Sequence, residues 1–63
     1  MIKATVLTWN NHKIELHFED RFQYRKWKVN WIADPLSERL VYGWERSVRQ
    51  CDITRVISVE EEN

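Results

Sequence analysis

The sequence is poor in the devices that staple a small domain or build a reaction centre. Cys51 is its one cysteine, so no disulfide forms within the chain, and an unpaired thiol suits a reducing, cytoplasmic setting better than a secreted scaffold. Gly43 is its one glycine, whereas a loop that wraps a phosphate needs several positions where the backbone approaches the ligand closely. The G-x-S-x-G, phosphate-loop and metalloprotease-helix patterns are all missing. No segment approaches the ~18 consecutive apolar residues of a membrane helix. Met1-Ile2-Lys3-Ala4-Thr5 leads into no apolar stretch of the kind that marks a secretory leader. Net charge is zero, ten basic residues against ten acidic, without the strong basic excess of a dedicated nucleic-acid binder.

Reactive groups are equally thin. His12 and His17 have opposite parity, so one continuous strand would point them to opposite faces. A structural zinc site wants four Cys or His ligands in close pairs, and no such spacing exists here. Cys51 sits in Arg49-Gln50-Cys51-Asp52, which carries no nucleophile motif and reads as a small core position. Neighbouring carboxylates occur at Glu19-Asp20 and Glu60–Glu62, a turn and a chain end that hold no fixed acid–base geometry. The expectation is a non-catalytic chain with no metal and no cofactor.

What the sequence does have is aromatic mass: four Trp, two Phe and two Tyr in 63 residues. Each large ring buries on the order of 150–250 Å². That compensates for the small surface a chain of this length removes from water. A homodimer interface is the alternative staple. Charge is unevenly spread, with a basic middle over 21–55 and an acidic end at Glu60-Glu61-Glu62.

Period two dominates the pattern. Ile2, Ala4 and Val6 alternate with polar residues, as do Ile14, Leu16 and Phe18, and Asn10-Asn11 between them suits a tight hairpin. In Phe22–Ile32, Trp27, Val29 and Trp31 share strand parity, while Phe22 and Tyr24 fall in the opposite phase. A bulge or bend near Arg25-Lys26 is expected to turn both sets inward. Without it, Phe22 and Tyr24 face solvent.

Residues 34–50 admit two readings. As a helix, Asp34 caps, Pro35 takes the first position, and Leu36, Leu40, Val41, Trp44 and Val48 share an arc. As a hairpin, Asp34-Pro35-Leu36-Ser37 forms the turn, Trp31 faces Leu40, Val29 faces Tyr42, Trp27 faces Trp44, and Lys26 meets Glu45. Gly43 costs a helix interior ~1 kcal/mol relative to Ala, which favours the hairpin. Asp52-Ile53-Thr54-Arg55 reads as one capped turn before a closing strand.

Ile32-Ala33-Asp34-Pro35 as a turn, Val41-Tyr42-Gly43-Trp44 as a returning strand and Asp52–Val59 as turn plus final strand resemble the later strands of Sm/SH3-like small barrels, including the bacterial WYL domain. The likeness covers about half the chain and lacks the Trp-Tyr-Leu tripeptide. It implies barrel topology and a ligand- or nucleic-acid-sensing role. The expected fold is therefore all-β, a five-stranded SH3-like small barrel with strands near 1–8, 12–19, 22–33, 38–46 and 54–60, as a single domain over 1–60 with a frayed acidic tail at 61–63. The alternative is an α+β fold, a four-stranded antiparallel sheet with one helix at 35–50.

For function the informative stretch is Arg21–Lys28, where basic and aromatic residues interleave. Arg21, Phe22, Tyr24, Arg25, Lys26 and Lys28 are the candidate binding residues. Rings that stack on bases, with cations on phosphates, are how single-stranded nucleic acid is often held. The same residue types also anchor protein partners, since Trp, Tyr and Arg dominate interface energetics. A solvent-facing edge strand shows this alternation as well, so a purely structural role accounts for the pattern too. The chain is expected to be a small binding module for nucleic acid or for a protein, with self-association as a further option and no membrane insertion.

Overall fold

In the computed structural model, residues 1–43 and 47–61 are described. The first two strands, β1 (Ile2–Thr8) and β2 (Lys13–Phe18), pair antiparallel in the register that the alternation demands, with Ala4 opposite Leu16 and Val6 opposite Ile14. Ile2, Ala4, Val6, Thr8, Ile14 and Leu16 turn to one face and are buried. The connecting hairpin is closed by Asn11 N–H donating to Thr8 O at 2.9 Å. Asn11 takes φ 65°, the left-handed region that Asn tolerates better than most residues.

The next element overturns the expected strand over 22–33. Arg21–Ala33 is a helix, α1. The cause lies at its start. Asp20 is extended (φ −153°), and its carboxylate accepts from Gln23 N–H at 2.9 Å, satisfying one of the donors a helix leaves open at its N-terminus. The Arg, Lys and Gln residues that follow are straight-chain helix formers. Helical spacing then places Tyr24, Trp27 and Trp31 on one face, at i, i+3 and i+7. Phe18 of β2 meets Tyr24 and Trp27, each at 5.5 Å between ring centres, and Trp27 stacks on Trp31 at 5.5 Å and 4°. These rings clamp the helix onto β2. The helix stops at Asp34, whose N–H bonds to Asn30 O, because the residue before a proline disfavours helical backbone.

Asp34-Pro35 is thus a helix stop rather than a helix start, and the helix expected at 35–50 gives way to strands among the described residues. Ser37 N–H bonds back to Asp34 O, and the chain enters β3 (Leu40–Tyr42). Strand β3 pairs antiparallel with β4 (Ser47–Arg49). The expected strand pairs of Trp31 with Leu40 and Val29 with Tyr42 do not form, since Val29 and Trp31 are helical. Trp44 and Glu45 lie outside the described residues. Gly43 bridges to Leu16, which joins this ribbon to β2. A single 3₁₀ turn at Gln50–Asp52 precedes β5 (Ile53–Glu61), so the turn lies earlier than expected and Ile53 already belongs to the strand. β5 pairs antiparallel with β1 and runs as far as Glu61.

The chain is strand-rich, with a β2-β1-β5 sheet, a β3-β4 ribbon and one helix on the inner face; the described strands close no barrel. The barrel fails for a specific reason: the segment expected to supply its long third strand is α1. The core is Val6, Ile14, Leu16, Trp27, Val41, Val48 and Ile53, with Phe18, Tyr24, Trp31 and Val56 packed around it. Gln50 is buried among them. Its side-chain N–H donates to Asp34 O at 2.8 Å and Asn30 O at 3.4 Å, a second donor to carbonyls that Ser37 N–H and Asp34 N–H already engage at the helix C-terminus.

Two consequences follow for stability. Trp27→Ala removes the ring that joins the helix to the sheet and should cost about 3–5 kcal/mol in denaturant unfolding, much of what a small domain has. Asp20→Ala should cost about 1 kcal/mol and Asp20→Asn much less, because Asn keeps the cap oxygen. Equal losses for the two would mean that the cap does not hold α1.

Candidate partner interface on the helix

A helix of this length has an inward and an outward face, and here both carry apolar residues. At about 100° per residue, Phe22 and Val29 lie ~20° apart, on the side turned away from Trp27. Phe22 is 70% exposed, Val29 64% and Ile32 66%. Arg25 and Lys26 stand one turn along from Phe22 on this same side, both exposed. The helix holds four basic residues and no acidic one. The outer face of α1 is therefore an apolar stripe set in positive charge.

The structure divides the six candidate residues. Phe22, Arg25 and Lys26 project to solvent on this face. Tyr24 turns inward, half-buried against Phe18 and Trp27, and is part of the core. The Lys28 ammonium lies 5.9 Å from the centre of the Tyr24 ring, a cation–π contact one turn along the helix. Arg21 is held by the end of β5: its Nε donates to both carboxylate oxygens of Glu61, at 3.0 and 3.1 Å. Val29 and Ile32 belong to the exposed stripe. Strand parity had placed Val29 in the core beside Trp27, whereas the spacing of seven from Phe22 to Val29 marks a shared helical face.

A shallow hollow of about 210 Å³ runs beside the helix between Phe18, Gln23, Lys26, Trp27, Asn30 and Arg39. Lys26 and Arg39 extend the positive border of the stripe along its rim. A second concavity, of about 300 Å³, lies at the β1–β2 hairpin tip and includes Trp9, His12, Leu40, Arg49 and Asp52. Arg49 there is paired with Asp52 at 3.2 Å. The histidines do not converge: His12 is in the hairpin loop, while His17 is in β2, opposite Lys3 and 3.6 Å from the Glu15 carboxylate. Among the described residues no three His, Cys, Asp or Glu side chains gather as a metal site, and no helix is long and apolar enough to cross a membrane.

Comparison with family models, with curated proteins and with solved structures finds no match to this chain.

The hydrogen bonds from Arg21 hold the Glu61 carboxyl below its ordinary range and raise the guanidinium in turn. A carboxylate lowered in the folded state stabilises the fold above its ordinary range, and that contribution fades as pH falls through the lowered native value. The pair is exposed, so the effect on stability is small. A proton titration of the Glu61 carboxyl by NMR should give a depressed midpoint. Arg21→Met should return it to that of an ordinary glutamate, and an unchanged midpoint would show that the clamp does not persist in solution.

Proposed function

We propose that this chain is a non-catalytic protein-binding module, and that the outer face of α1 docks an acidic, apolar-faced segment of a partner protein. One observation carries the reading: Phe22, Val29 and Ile32 are all about two-thirds exposed on one helix face, bordered by Arg25 and Lys26 with no acidic residue in the helix. Scattered exposed apolar residues are ordinary, but an aligned stripe rimmed by charge is the form of a docking surface. The single sign of the border favours an acidic partner, since like charges across an interface are costly.

Single-stranded nucleic acid is the competing reading, supported by the four basic side chains of α1. It is the weaker of the two, because stacking needs a row of exposed rings. With Tyr24 and Trp27 packed against Phe18, Phe22 is the exposed aromatic that α1 offers.

The two readings separate in a pull-down from the source cells with the full chain as bait, run with and without nuclease. A protein should be captured that survives nuclease. Phe22→Ala should weaken its binding by about thirtyfold, as loss of an interface anchor does, and Arg25→Glu should weaken it further at low salt than at high salt. Capture that vanishes with nuclease would move the assignment to nucleic acid. Binding indifferent to both substitutions would remove the helix face from consideration.

A further inference from the structure

Strand β5 is the longest in the chain, and it forms the open border of the sheet. It pairs with β1 on one side, and among the described residues no strand lies along its other side. A long edge strand presents unpaired backbone donors and acceptors, which is a template for a further strand. The proteins that keep such an edge bare usually place charge on it or bend it. β5 does carry irregularities, because its register against β1 shifts at two places, leaving Thr54 and Ile57 outside the residue-by-residue pairing, although the Thr54 hydroxyl still donates to Leu7 O at 2.9 Å.

We infer that β5 is a self-association edge, pairing antiparallel with β5 of a second copy about a two-fold axis between Ile57 and Ser58. Sidedness fixes the register. Cross-strand neighbours share a face. Val56 and Val59, opposite Val6 and Ala4, therefore lie on the inner face, whereas Arg55 and Glu60, opposite Leu7 and Lys3, lie on the outer one. In an unbroken strand, residues three or five apart point to opposite faces. The extra residue at Ile57 reverses that parity. It puts Val56 and Val59 on one side and Arg55 and Glu60 on the other.

A two-fold pairing with its axis perpendicular to the sheet keeps faces together, so opposed residues must share a face. With the axis between Ile57 and Ser58, Val56 meets Val59 of the second copy on the inner face, and Arg55 meets Glu60 on the outer face. Symmetry makes each contact twice. Sliding by one residue sets Arg55 against Val59 or Glu61, both on the wrong face, so charge and sidedness select the same register. Val59 is 46% exposed on the inner face, which is the surface such pairing would cover. Neither Arg55 nor Glu60 is in an ion pair among the described residues. This surface is separate from the outer face of α1, and the inference stands or falls independently of the partner proposed there.

Sedimentation equilibrium of the full chain over a wide concentration series tests it, with hydrogen exchange of the β5 amides as a second readout. The chain should show a monomer–dimer equilibrium, and β5 amides should gain protection as concentration rises. Arg55→Glu and Glu60→Arg should each weaken dimerisation by about tenfold or more, since each opposes like charges twice. Mixing the two variants should restore association, because Glu at 55 then faces Arg at 60 while the native Arg55 and Glu60 face each other. A chain that stays monomeric with β5 exchange independent of concentration overturns the inference. So does a dimer that ignores both substitutions, or one that mixing fails to restore.

Discussion

The contact on which the rest of the structure depends is the aromatic clamp between one sheet edge and one helix. Phe18 ends β2, and within two residues Asp20 starts α1, so the chain has almost no slack between the two elements. The tight connection and the cap at Asp20 set where the helix begins. The rings of Tyr24, Trp27 and Trp31 set how it is rotated, because Trp27 must meet Phe18 on one side and Trp31 on the other. Once that rotation is fixed, Phe22, Val29 and Ile32 have no choice but to face water. The candidate interface is thus a geometric consequence of the core. A helix turned by a third of a revolution would bury the stripe and strip the core of its tryptophan.

The far end of the helix is held by a different kind of interaction. Gln50 is a polar residue buried where a leucine would fill similar space, and its amide reaches the carbonyls of Asn30 and Asp34. Its own backbone N–H bonds to Arg39 O, and the neighbouring Cys51 N–H bonds to Ser37 O. One short turn therefore ties the helix end, the segment leaving it and the start of β5 together. A buried polar group is tolerated when its partners are in place and is costly when they are not; the Gln50 amide nitrogen has its acceptors, while Oε1 is buried with no hydrogen-bond partner among the described residues. The fold gains directionality from this: the helix end fits the Gln50 turn in one position, whereas apolar contacts alone would permit sliding.

The β1–β2 hairpin was legible because its sequence has one apolar phase, and Asn11 suits the positive φ that its turn requires. The helix was not legible for an informative reason. Trp27, Val29 and Trp31 alternate as a strand would, while Tyr24, Trp27 and Trp31 recur as a helix would, and both patterns use the same two tryptophans. Ordinarily a polar outer face breaks such a tie. Here the outer face carries Phe22, Val29 and Ile32, so the helical period is blurred by the very residues that make the surface a candidate for docking. The decisive local signal was Asp20, which caps, followed by straight-chain Arg, Gln and Lys without a β-branched residue until Val29. Asp34-Pro35-Leu36-Ser37 was legible as a turn, closed by Ser37 N–H on Asp34 O at 3.2 Å; what the strand reading missed is that the same aspartate ends a helix. Of the six candidate residues, Phe22, Arg25 and Lys26 survive as one exposed patch because they share a helical side, whereas Tyr24 shares the other.

The two surfaces proposed above bear on each other through symmetry. An axis perpendicular to the sheet leaves both copies of α1 on the same side of a joined six-stranded sheet, because such an axis exchanges the copies without exchanging the faces. The outer faces of the two helices would then point the same way, away from the shared sheet. Two docking stripes held on one side convert the second binding event into an intramolecular one, so a partner with two acidic segments gains affinity that neither stripe provides alone. That gain requires no new contact on the helix. It requires only that β5 pair with its own copy, in the register set by the extra residue at Ile57, where a regular strand would have kept its alternation.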